Sequence, residues 1–132
     1  MSRSGYNDDC EQWELIRWRG AVKSAIRGKR GQAFLREMLE ALDTMPNKRL
    51  IAEQLESHGE VCAMGCVGLK RGLDMSNIDP EDRAQVAGFF GISPAMAAEI
   101  AFENDDGDWR HNTPEQRWTR MREWVAAQLV LE

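Results

Sequence analysis

The chain has 132 residues, of which 42% are apolar and 30% charged, and a formal net charge of -5. That length suits one domain and is short for two, and the apolar fraction suffices for a packed core, which excludes wholesale disorder. No run approaches the roughly 18 apolar residues of a membrane span, the start MSRSGYNDDCEQW has no secretory leader, and three cysteines cannot close a disulfide framework.

These features predict a cytoplasmic protein of mainly α class, a compact single domain of about five helices. Residues 1–10 read as a flexible polar arm and residues 11–132 as the helical domain. A first helix is predicted over Glu11–Arg27. Leu15, Trp18, Val22, Ala25 and Ile26 fall on one stripe at helical spacing, with Arg17, Arg19, Lys23 and Arg27 off it. Gly28 is placed to end it in the left-handed conformation that glycine adopts cheaply. Lys29, Arg30 and Gly31 form a short connection, and a second helix over Gln32–Thr44 would pack antiparallel to the first. Its apolar face is Phe34, Leu35, Met38, Leu39, Leu42 and Met45, and Pro46 stops it by disfavouring helical geometry at Met45.

Arg49–Glu56 could extend a helix or form a strand, and residues 50–63 fit a small β-hairpin with a turn at His58-Gly59. Ala63 to Arg71 is rich in small residues, which suits a short buried helix in close contact with its neighbours. Asp79-Pro80-Glu81-Asp82 offers an N-cap, a proline at the first helical position and acids in the first turn of a helix ending near Phe90. Ser93-Pro94 starts the next, predicted to end near Glu103, so that residues 80–103 resemble a helix-turn-helix. Residues 104–112 read as an acidic loop. Thr113-Pro114-Glu115-Gln116 is a capping box for a final helix with Trp118, Met121, Trp124, Val125 and Leu129 turned inward.

The charge is unevenly spread. Residues 17–49 carry nine basic and three acidic residues, a net of +6, inside a remainder of -11. Such a segment can meet phosphates or an acidic partner, or it can neutralise the rest of its own fold. Arg17, Arg19, Lys23, Arg27, Lys29 and Arg30 are therefore candidates for a partner-binding basic flank. Nucleic acid could bind through residues 17–49, and on the first helix Trp13 and Trp18 interleave with Arg17 and Arg19. The helix-turn-helix is a poor DNA reader, because residues 94–103 contain two glutamates and no Lys, Arg, Asn, Gln, Ser or Thr.

His58, Cys62 and Cys66 are spaced by four, but Gly59 argues against one continuous helix, the short zinc spacing is missing, and Cys10 or His111 could supply a fourth ligand only by a coincidence of the fold. Buried cysteines acting as small hydrophobes are expected, with no metal and no cofactor. Asn104-Asp105-Asp106-Gly107-Asp108 fails as a calcium loop, since Phe102 would stand at the first ligand position. That loop is instead a second candidate docking surface, comprising Asp105, Asp106, Asp108, Trp109 and His111. No nucleophile elbow, phosphate loop or dinucleotide fingerprint occurs, so no enzyme is expected.

The strings RWRGAVKSAIRGKRGQAFLREMLEALD, GEVCAMGCVG, FENDDG and TPEQRWTRMREWV resemble those of a widespread family of small tailed-bacteriophage and prophage proteins. The resemblance spans Trp18 to Gln128 and brings no catalytic residue with it. It implies a setting in the bacterial host cytoplasm and an accessory protein that binds a host protein or nucleoprotein, as host and defence machinery are bound by small phage proteins. The alternative is a nucleic-acid-binding or regulatory module using the basic helical pair. A homo-oligomer is compatible with either, and a membrane role with neither.

Overall fold

Among the described residues of the computed structural model, which are residue 3, residues 12–107 (12–15 as backbone only), residue 110 and residues 112–130, the fold has six helices and one two-stranded hairpin. In order they are α1 (Gln12–Arg27), α2 (Lys29–Thr44), β1 (Glu56–Ser57), β2 (Glu60–Val61), α3 (Ala63–Lys70), α4 (Arg83–Phe90), α5 (Pro94–Asp106) and α6 (Pro114–Gln128). The mainly α class with one small hairpin is as expected.

α1 buries Val22 and Ile26 and half-buries Trp18 and Ala25, as its stripe predicts. Gly28 does not take the left-handed conformation. It is extended, with φ -67° and ψ 162°, because α2 begins at the next residue and Gly28 is its N-cap. Lys29 and Arg30 are thus the first turn of α2 rather than a connection. The two helices cross closely: a β-carbon on Gly31 would stand 2.0 Å from the Ala25 carbonyl oxygen. They are not a self-contained hairpin, since α1 packs chiefly on α5 and α2 on α3 and α6.

Met45 is extended at ψ 132°, as a residue before proline should be. In the hairpin Glu56 pairs with Val61 and Ser57 with Glu60. Its two central residues, His58 and Gly59, both have positive φ, 53° and 82°, which is the twist-matched turn for a two-residue loop. α3 is the expected small-residue helix. A β-carbon on Gly65 would lie 1.9 Å from the Leu55 carbonyl oxygen, so the hairpin backbone rests directly on it. α3 ends in a Schellman motif, with Gly72 left-handed and the Leu73 and Gly72 amides donating to the Gly68 and Leu69 carbonyls.

α4 starts later than Asp79-Pro80 suggests. The Asp79 carboxylate accepts the Glu81 amide at 2.9 Å, a local turn that competes with helix, and Asp82 is the cap that accepts the Gln85 amide. Gly91, left-handed at φ 76°, Ile92 and Ser93 turn the chain, and α5 leaves α4 at 103°. α5 starts as expected, with Ser93 capping Met96 and Pro94 in the first turn. It runs past Glu103 through Asp106, because Asn104 and Asp105 face inward and find partners there. α6 carries the full capping box of Thr113 and Gln116.

The core joins Leu35, Met38 and Leu42 of α2, Leu50, Met96 and Ile100 of α5, and Met121 and Val125 of α6, all at most 1% exposed. Side chains of this size each contribute about 1.5–3 kcal/mol on full burial. Among the described residues no single helix is long and apolar enough to cross a membrane. The bent α4–α5 pair passes by composition alone, and its apolar residues are core.

Candidate functional site

α5 settles the helix-turn-helix question geometrically. Ala95, Met96, Ala97, Ala98, Ile100 and Ala101 are all buried, so the second helix has no face to lay in a groove of DNA. The supersecondary shape is present, and it serves the core.

The basic flank is different. Arg19, Lys23 and Arg27 recur every four residues along α1, and Lys29 and Arg30 continue the series onto the start of α2. All five are exposed, and none forms an ion pair with another described residue. Arg17 is exposed on the same helix and has an interaction within the fold. Other cations are committed to the fold. Arg49 pairs with Glu60 and Glu115, Lys70 with Glu40, Arg71 with Glu37 and Arg122 with Asp43. Lys48 donates to the Asp43 and Met45 carbonyls at the end of α2 and lies 5.5 Å from the Trp118 ring centroid.

A groove of about 390 Å³ runs beside this flank. Arg19, Lys23 and Arg27 form one wall, Trp124 the other, and Glu99 and Glu103 stand between them on α5. Leu129 and the half-exposed Val130 add apolar surface to its lining. Gln32 fixes this part of it. Its buried amide donates to the Ile26 and Gln128 carbonyls and accepts the Val130 amide, tying α1, α2 and the chain after α6 together. Burial pushes the Glu103 carboxyl above the usual glutamate range, and the neighbouring Glu99 adds to it while Arg120 opposes.

A second cleft, of about 230 Å³, lies where the start of α2 meets the start of α5. Lys29 and Arg30 border it with Ser24, Gly28 and Ser93. Gly28 offers no side chain to cap α2, so the first amides of that helix are left to other acceptors.

The acidic docking surface is only partly where it is expected. Asp105 is not a loop residue: it is helical, buried and ion-paired with Arg3 at 2.7 Å, so it cannot meet a partner. Asp106 is exposed, and its carboxyl is pushed up by burial and by the charges of Asp105 and Glu53. Asp108, Trp109 and His111 lie outside the described residues, as do Cys10 and the Trp13 side chain. Arg3 itself, predicted to lie in a flexible arm, is buried with its guanidinium against Asp105 and Cys62.

His58 sits in the hairpin turn and Cys62 at the N-cap of α3, so the three residues spaced by four share no helical face. Among the described residues no group of three His, Cys, Asp or Glu is arranged to hold a metal. The Cys62 sulfur accepts the Gly65 amide at 3.3 Å. Burial and the nearby Cys62 push the Cys66 thiol up to about 11, which leaves almost no thiolate at neutral pH.

One residue had a signal that the sequence reading passed over. Arg117 precedes Met121 by four and so lies on the inward stripe of α6. It is buried and donates to the carbonyls of Asn104, Leu50 and Asn112. No family model, curated protein or solved structure matches the chain.

Proposed function

We propose that this is a non-catalytic, phage-encoded accessory protein that binds a macromolecule of its bacterial host in the cytoplasm, bearing on host or defence machinery. The phage setting is supported by the resemblance of the strings at 17–43, 59–68, 102–107 and 113–125. The binding role rests on one observation: of five exposed cations unpaired with any described residue, Arg19, Lys23 and Arg27 border a groove and Lys29 and Arg30 the neighbouring cleft, while other cations are spent inside the fold. The occupant that fits is an acidic protein segment with one apolar anchor. Its acids would meet Arg19, Lys23 and Arg27, and its anchor would pack on Trp124 and Leu129 of the same groove. Glu103 is a partly desolvated charge that costs stability in the free chain, and such a cost is common where a surface is shaped for a partner.

The combined Arg19→Glu, Lys23→Glu and Arg27→Glu variant tests this. These side chains are exposed, so unfolding should change by no more than about 0.5 kcal/mol per site. Proteins captured from bacterial lysate by the native chain should be lost from the variant. Equal capture by both would contradict the proposal.

A specific observation also favours nucleic acid: the α2 start combines uncapped amides with Lys29 and Arg30, a geometry that takes phosphate. Binding of this kind would weaken by about 0.7–0.9 log units per log unit of salt for each phosphate neutralised. Absence of any mobility shift with single- or double-stranded oligonucleotides at low salt would remove it.

A further inference from the structure

We infer that Asp105, Asn104 and Cys62 form a guanidinium-binding socket, and that Arg3 is its tethered occupant, latched over Cys62. The socket is assembled entirely by residues far from Arg3 in sequence. Asp105 Oδ1 accepts the Glu53 amide at 3.0 Å and Asn104 Nδ2 at 2.9 Å. Asn104 is itself held, accepting the Ala63 amide at 3.1 Å and donating to the Ile51 carbonyl at 2.9 Å. Glu53 takes a positive φ of 68°, uncommon for a non-glycine residue, in presenting that amide. Cys62 Sγ is fixed by the Gly65 amide at the start of α3. None of these contacts involves Arg3, so the carboxylate is aimed before the guanidinium arrives.

Arg3 then fits as a planar fork. Its Nε donates to Asp105 Oδ2 at 2.7 Å and its Nη2 to Oδ1 at 2.8 Å, while Nη1 reaches Cys62 Sγ at 3.6 Å. The two charged side chains are 3% and 4% exposed. Two parallel donors matched to one carboxylate select guanidinium over ammonium. Burial works against the Arg3 charge, but Cys62 and Asp105 outweigh it and raise its pKa, so the latch does not open by deprotonation. It opens only by displacement, and opening uncovers Cys62.

The test is alkylation of Cys62 by iodoacetamide, mapped by mass spectrometry, in the native chain and in Arg3→Ala. The native chain should be protected, and the variant should react at least about tenfold faster as local opening no longer limits it. Methylguanidinium at sub-denaturing concentration should restore protection in Arg3→Ala, and methylammonium at equal ionic strength should not. Equal Cys62 reactivity in the two proteins, or equal effects of the two cations, would overturn the inference. If Arg3→Ala does not fold alone, folding regained with methylguanidinium and not with methylammonium supports the socket, and no recovery with either overturns it. In Asp105→Asn, which keeps the shape but loses the charge, Cys62 should react faster and methylguanidinium should give no protection.

Discussion

Gly31 and Gly65 are fixed by space rather than by backbone conformation. An alanine methyl at either would stand within 2.0 Å of a carbonyl oxygen of a neighbouring segment, and backbone cannot step aside as a side chain can. Gly31→Ala and Gly65→Ala should each cost about 2–3 kcal/mol or more in urea unfolding. Gly20, with nothing near its missing β-carbon, is the control: Gly20→Ala should stabilise the exposed helix by up to about 1 kcal/mol. Arg117 binds three carbonyls from three segments, so Arg117→Met, which keeps the stem and removes the donors, should cost about 3 kcal/mol in the same measurement. Glu103 works in the other direction. Its carboxyl is raised in the fold, so the native chain loses stability as pH rises from the ordinary glutamate range through the raised value. Glu103→Gln should therefore melt higher than the native chain at neutral pH and equal to it in acid, where both side chains are neutral.

At the scale of elements, local chemistry was a good guide wherever the partner was a few residues away. The Thr113 capping box, the Ser93-Pro94 start, the extended Met45 before Pro46 and the His58-Gly59 hairpin all obey rules confined to four or five residues. The hairpin makes that testable: His58→Asn should leave stability unchanged or slightly higher in thermal melts, and His58→Val should lower it, since a β-branched residue resists positive φ. Gly28 misled because a glycine at a junction signals both a helix end and a helix start. Asp79-Pro80 misled because its carboxylate closes a turn before it can cap a helix. Asp105 was illegible for a deeper reason. Its partner Arg3 is 102 residues away, and nothing in the string FENDDG distinguishes an aspartate that faces inward from its exposed neighbour. The candidate site divided the same way: the α1 ridge could be read from one helix, whereas the groove needed α1, α5 and α6 together.

For the molecule as a whole, the net charge of -5 is an average over two unlike surfaces. Part of the +6 segment is indeed used internally, through Lys48 and Arg49, while the α1–α2 ridge is not. Lysine footprinting of the native chain bound to its captured partner tests this division most directly, because the described lysines fall on both sides of it. Acetylation should be suppressed by the partner at Lys23 and Lys29 and unchanged at Lys48 and Lys70. Protection confined to Lys48 and Lys70, or no protection at Lys23 and Lys29 in a saturated complex, would contradict a binding role for the ridge.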